Sequence, residues 1–277
     1  MTASRRCRPL LGTYVEITAT DATSDTIEQA FSAIARIHRL MSFHSADSDL
    51  ARMRAAAWGE PVLVAPETIA VIGLCQRLWH ATDGLFEVAV GASLVADGYL
   101  PKPQSYPAMK FDGTTGDLEV RTDGSVICHR PMLIDLGGIA KGYAVDRACD
   151  VLIAYGAKNI LINAGGDLRT AAGPPVEIVI RDQRGRGVDR VLLDNGALAS
   201  SDNSRSRRRL WTGRLQSPHR GRARRAIASR SVTTVLSPTC AIADALTKVA
   251  MVDDSLANRI ARAQGGSVFS ASNRTGA

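Results

Sequence analysis

Aromatic residues are scarce in this 277-residue sequence, at 5%, and its five cysteines never form a CxxC pair. Cys7, Cys75, Cys128, Cys149 and Cys240 are odd in number and widely scattered, which excludes a disulfide framework and a zinc knuckle and fits a reducing compartment. No run of about 20 apolar residues occurs, so no integral membrane segment is expected. Residues 1–9 hold three arginines and no apolar core, and Cys7 lacks the hydrophobic run that precedes a lipoprotein cysteine, which predicts a cytoplasmic protein. What the chain does have is 45% apolar residues and 22% charged ones, the balance of a globular protein rather than a disordered or fibrous one.

Acidic residues are missing from one window. The chain carries 34 Lys+Arg against 27 Asp+Glu, a balance of +7, yet ten of the arginines lie within residues 205–230, where there is no Asp or Glu. Without those ten, 24 basic residues face 27 acidic ones, a balance of −3, so the basicity is local. The window has one aromatic, Trp211, and lacks the interleaved stacking residues of a single-strand binder, so no nucleic-acid partner is expected.

Residues 10–20, rich in Val, Ile, Tyr and Thr, read as an early strand. Ile27, Ala30, Phe31, Ile34, Ile37 and Met41 recur at helical spacing and predict a core-facing amphipathic helix. Pro66 opens a second helix whose inner face is read as Ile69, Ile72, Cys75 and Trp79. Strands are expected at residues 125–128, 132–135, 159–163 and 176–180, a buried helical stripe through Ala144, Val145, Ala148, Val151, Leu152 and Tyr155, and a last helix at 256–263. Strands and helices mix without a regular β-α-β rhythm, which points to an α+β fold rather than a doubly wound sheet.

The densest chemistry lies in Ile134-Asp-Leu-Gly-Gly-Ile-Ala-Lys-Gly-Tyr-Ala-Val-Asp146, where a strand delivers Asp135 to a glycine turn and Lys141 sits near the start of a helix. Gly137 and Gly138 would let the backbone approach a ligand, helix N-terminal amides attract anions, and Lys141 adds a full charge, so a phosphate-bearing ligand would suit the site. The alternative is a tight strand-to-helix turn with Lys141 solvated. Neither the Gly-Lys-Ser/Thr ending of a P-loop nor GxGxxG spacing is present. A second glycine turn, Ala164-Gly-Gly-Asp167, follows a strand. Near the end, Asp244 and Thr247 fall three apart, on one face if helical, and an acid with a hydroxyl suits magnesium or a helix cap.

In order along nearly the whole chain, these pieces resemble the FAD:protein FMN transferase family, known as ApbE. Leu10-Leu-Gly-Thr-Tyr-Val-Glu-Ile17 is similar to its opening Met-Gly-Thr strand, with Leu11 for methionine; Met41-Ser-Phe-His-Ser-Ala-Asp-Ser-Asp-Leu50 is similar to its Met-Ser block. Thr82-Asp-Gly-Leu-Phe-Glu-Val88 resembles the segment before its flavin-contacting Gly-Phe pair, here Gly98 and Tyr99. The glycine motif through Asp146, the Ala-Gly-Gly-Asp element and Asp244-Ala-Leu-Thr247 resemble three further family blocks.

The resemblance implies one domain over residues 1–277, with residues 202–230 as a variable Arg-rich segment. It implies binding of FAD and magnesium (Mg2+) and transfer of FMN to a Thr or Ser hydroxyl of an acceptor protein, with release of AMP. Carried over, Leu11, His44, Gly98, Tyr99, Gly137 and Lys141 would hold the cofactor. Asp244, the Ala140 carbonyl and a hydroxyl one turn past Asp244 would hold the metal. The usual threonine position is Lys248 here, so either Thr247 takes the role or the site loses a ligand. His219 stands nearest to the family's base, and cations such as Arg220 and Arg222 would lower its pKa; the alternative is an exposed loop histidine. His44 replaces a tyrosine beside the flavin and either stacks on the ring or marks altered chemistry. His38, His80 and His129 are read as structural. An FAD pyrophosphatase and a non-catalytic flavin-binding protein are the competing readings, and the Arg-rich cations would face the pyrophosphate or an acidic acceptor motif.

Overall fold

The computed structural model describes residues 3–103, 109–203, 208–209, 215–228 and 232–271. In chain order the elements are β1 (Ala3–Leu10), β2 (Thr13–Thr20), α1 (Ser24–Met41), α2 (Asp49–Ala55), β3 (Pro61–Leu63), α3 (Pro66–Ala81), α4 (Gly91–Ala96), β4 (Leu118–Val120), β5 (Ser125–Cys128), α5 (Ala140–Ala154), β6 (Lys158–Ala164) and β7 (Asp167–Ala171). There follow β8 (Val176–Arg181), β9 (Gly187–Leu193), β10 (Ala197–Asp202), β11 (Arg208–Arg209), β12 (Leu215–Gln216), β13 (Val232–Ser237), α6 (Cys240–Ala250), α7 (Asp254–Ala263) and β14 (Ser267–Ala271). The expected α+β class holds, because the large sheet is antiparallel throughout.

Contacts divide the described residues into two compact units, neither continuous in sequence. The first gathers residues up to 38, from 139 to 203 and from 232 onward. Its seven-stranded sheet runs β1-β2-β6-β7-β10-β13-β14. Val15, Ile17 and Ala19 alternate with less buried residues along β2, and Ile160, Ile162 and Ala164 do so along β6, giving one apolar face. α5 packs on β6 and β7, and α6 on β10 and β13. The α1 stripe Ile27, Ala30, Phe31, Ile34 and Ile37 is buried as expected.

Residues 10–20 are not one strand. Leu11 and Gly12, with φ of 56° and 71°, make a two-residue hairpin turn between β1 and β2, the geometry that matches strand twist. β1 is an edge strand whose Arg5, Arg6 and Arg8 blunt it against further pairing. The α5 stripe is buried at Ala144, Val145, Ala148 and Leu152, but Val151 is only half-buried, and Tyr155 follows the helix and is 63% exposed.

The second unit gathers residues 39–138 and 208–228. It holds α2, α3, α4, the β3-β5-β4 sheet and the short β11-β12 pair. The buried face of α3 is Thr68, Val71, Ile72, Cys75 and Leu78, shifted from the expected one. The cause is polar: Thr68 donates to buried Asp49 at 2.5 Å, while Trp79 stays half-buried with Nε1 donating to Glu87 at 3.2 Å. Met132, Leu133 and Ile134, expected to form a strand, are buried but do not join a sheet. Asp135 N–H donates to the Val88 carbonyl and Gly91 N–H to the Leu133 carbonyl, so irregular backbone replaces a ladder partner there.

Candidate active site

In the first unit, three motifs far apart in sequence converge on one buried cluster. α5 begins at Ala140 and carries Lys141 in its first turn; β7 begins with Asp167; α6 carries Asp244 and Thr247, so the segment is helical and the two share that helix. The Gly165–Gly166 turn, with φ of 64° and 101°, closes the β6-β7 hairpin and so delivers Asp167 to Lys141, with which it forms an ion pair. Lys141 is therefore not a solvated cation. Burial works against its charge, but the carboxylates of Asp244 and then Asp167 outweigh it and hold its pKa above the usual range. Burial, followed by the Asp244 charge, pushes the Asp167 carboxyl up to about 6. Asp167 Oδ1 accepts no hydrogen bond among the described residues.

Asp244 is fully buried and both of its carboxylate oxygens are engaged. Oδ2 accepts from the Gly142 amide at 3.3 Å, and Oδ1 forms an ion pair with Lys248, one helical turn along. Burial alone would raise its pKa, but Lys248, Lys141 and the Gly142 amide hold it below the usual carboxylate range. Lys248 Nζ also donates to the Asp244 carbonyl at 3.1 Å and to Ser201 Oγ at 3.2 Å. The Thr247 hydroxyl donates to the same carbonyl at 2.6 Å and lies 2.8 Å from Ser201 Oγ.

This arrangement does not fit the expected magnesium. A metal needs open oxygens, and here both carboxylate oxygens of Asp244 are taken, by the Lys248 ammonium and the Gly142 amide, while the oxygen left without a hydrogen bond, Asp167 Oδ1, lies outside the expected ligand set. The neighbouring residue Asp146, which sequence reasoning passed over, accepts from the amides of Cys240 and Ala241 at 2.9 Å and so caps α6. Gly142 is required at this junction. A Cβ there would lie 2.3 Å from the Cys240 carbonyl oxygen.

The second unit holds the remaining candidates. Gly98, with φ of 73°, ends α4, and Tyr99 N–H donates back to the Leu94 carbonyl. Next to Gly98, buried Asp97 pairs with Arg220 at 2.9 Å, and Arg220 also reaches the Ser93 carbonyl at 3.0 Å, so the segment bearing His219 is tied to the Gly98–Tyr99 turn. Arg224 donates to the carbonyls of Phe111 and Gly113. These two arginines are thus structural, contrary to the expectation that the segment's cations face a ligand. Arg222 and Arg225 are exposed, whereas Arg205, Arg207, Trp211, Arg214 and Arg230 lie outside the described residues.

His219 is half-buried, its amide donating to Ser217 Oγ at 3.1 Å. His44 is exposed on the loop after α1, edge-on to Phe43 with 6.4 Å between ring centroids. Of the two acidic residues of that Met-Ser block, Asp49 is structural: it accepts from the Ala65 amide at 2.9 Å and from Thr68. Gly137 is exposed, where a Cβ would meet Asp135 Oδ2 at 3.2 Å. His129 pairs with Glu119 at 2.8 Å and His80 stacks edge-on with Trp79 at 5.0 Å, local roles that agree with the structural reading.

The chain is 29% identical over 233 residues to an FAD:protein FMN transferase of Vibrio cholerae, covering 76% of this chain and 68% of that one. It is 26% identical to the Haemophilus influenzae protein of the same name, covering 69% and 62%. Among solved structures, the ApbE protein of Thermotoga maritima superposes with a TM-score of 0.82 at 23% identity, covering 99% of this chain and 98% of that one. The flavin transferase ApbE of Vibrio cholerae superposes with a TM-score of 0.79 at 23% identity, covering 99% and 94%. Since the ApbE family profile matches residues 11–268, nearly the whole chain, this protein belongs to the ApbE family.

Proposed function

We propose that the chain is an FAD:protein FMN transferase, moving FMN from FAD to a Thr or Ser hydroxyl of an acceptor protein and releasing AMP. The observation that carries this reading is the convergence of three family motifs on Lys141, Asp167 and Asp244 in one buried cluster. In the reaction the acceptor oxygen bonds to the FMN phosphorus, the bond from that phosphorus to the AMP phosphate oxygen breaks, and the hydroxyl proton passes to a base. His219 is assigned as that base. The N-terminal turn of α5 and the Lys141 ammonium supply positive potential for the pyrophosphate. Leu11, His44, Gly98, Tyr99 and Gly137 are assigned to flavin and ribityl contacts. The carboxylate expected to hold the family's magnesium, Asp244, is paired with Lys248 here.

Lys248 at the usual threonine position favours one second reading, hydrolysis of FAD to FMN and AMP by water. Incubating the pure protein with FAD and a flavin-acceptor domain, with and without magnesium, separates the two through AMP release and acceptor mass. AMP with an acceptor heavier by one FMN is the expected result. AMP with unchanged acceptor mass means hydrolysis, and bound FAD with neither product overturns both enzyme readings.

A further inference from the structure

We propose that the Lys248 ammonium is a built-in substitute for a divalent cation at Asp244, so that this chain fills the cation position of its site with its own side chain. The inference takes from family membership only the place where a cation belongs.

The geometry is that of a cation gathering oxygens. An ammonium has three donors, and Lys248 spends them on Asp244 Oδ1, the Asp244 carbonyl at 3.1 Å and Ser201 Oγ at 3.2 Å. Two of these oxygens belong to the residue that would anchor a metal. Because Lys248 follows Asp244 by four residues on α6, the helix itself presents the ammonium to the carboxylate without any movement of the backbone. Lys248 is only 15% exposed, so the charge is held in the cluster rather than lent from solvent.

Charge balance points the same way. Two ammoniums, Lys141 and Lys248, stand with two carboxylates, Asp167 and Asp244, and close the account at zero. A divalent ion added to this buried set would bring two uncompensated charges to within a few ångströms of two cations. The Thr247 hydroxyl donates to the Asp244 carbonyl at 2.6 Å and lies 2.8 Å from Ser201 Oγ, so it belongs to the same polar network as the Lys248 ammonium. With threonine in place of Lys248 the carboxylate would be short of a partner, and a metal ion could take it.

The test is Mn2+ uptake by the purified full chain, read from the EPR signal of free Mn2+, beside Lys248→Thr and Lys248→Ala. The expected result is uptake at Asp244 about 100-fold weaker in the unaltered chain than in Lys248→Thr, with a smaller gain in Lys248→Ala. Adding Asp244→Asn to Lys248→Thr should abolish the gained site. Tight uptake by the unaltered chain that Asp244→Asn removes overturns the proposal, and needs no folded Lys248 variant. Folded Lys248→Thr and Lys248→Ala proteins that gain no site overturn it too. Neither FAD nor an acceptor is used, so failure here is distinct from failure of the transferase reading.

Discussion

Two buried carboxylates tie α5 to α6, each carried by one helix and bonded to N-terminal amides of the other. Asp146 on α5 takes the amides of Cys240 and Ala241, and Asp244 on α6 takes the amide of Gly142. Their geometry is reciprocal, but their electrostatics diverge. Burial raises the pKa of Asp146 despite its two amides and Arg169 at 3.2 Å, whereas Lys248 and Lys141 hold Asp244 below the usual range against complete burial. The difference separates a carboxylate held by amides from one held by lysines: amides suffice to cap a helix, while lysine charge is concentrated on Asp244.

The largest effect should come from Asp244→Asn, which leaves the Lys248 charge buried and unpaired. Unfolding in urea is expected to show a loss of about 3–5 kcal/mol, and adding Lys248→Met should recover most of it. Asp146→Asn should cost less, about 2 kcal/mol, because one amide N–H then meets an amide NH2 and Arg169, which loses its ionised partner, keeps the Pro238 carbonyl as an acceptor. Equal costs, or no recovery in the double variant, would erase the distinction between the two carboxylates. Gly142→Ala should cost about 1–3 kcal/mol, since its Cβ would collide with the Cys240 carbonyl and part the two N-termini.

The motifs were legible one at a time, and their meeting was not. The α1 stripe could be read directly because a single apolar face repeats without interruption, and the class followed from the missing β-α-β rhythm. Spacing put Asp244 and Thr247 on one helical face, and the glycine pair before Asp167 announced a turn. The bonds that define the site cross 47 residues from Lys248 to Ser201 and 102 from Asp244 to Gly142. No local periodicity encodes such a pairing. Lys248 was legible as a departure from family pattern, but only the helix placed its ammonium on Asp244. The Arg-rich window misled for a related reason: charge counts cannot tell Arg220, buried against Asp97, from exposed Arg222.

The smallest predicted effect concerns Asp167, the carboxylate that shares Lys141 with Asp244. With its carboxyl pushed up to about 6, the folded state holds this proton more tightly than the unfolded chain does. Above that pH the ionised, buried group subtracts stability, and the subtraction is relieved as pH falls through 6. Asp244 has the opposite sign: its depressed pKa adds stability above the ordinary carboxylate range, lost only on stronger acidification. The stability of the unaltered chain relative to Asp167→Asn, from urea unfolding, should therefore rise by about 1 kcal/mol from pH 7 to pH 5. A flat difference would mean that Lys141 keeps Asp167 as firmly ionised as Lys248 keeps Asp244. The cluster would then hold two equivalent ion pairs rather than one firm pair and one carboxyl able to take a proton near neutrality.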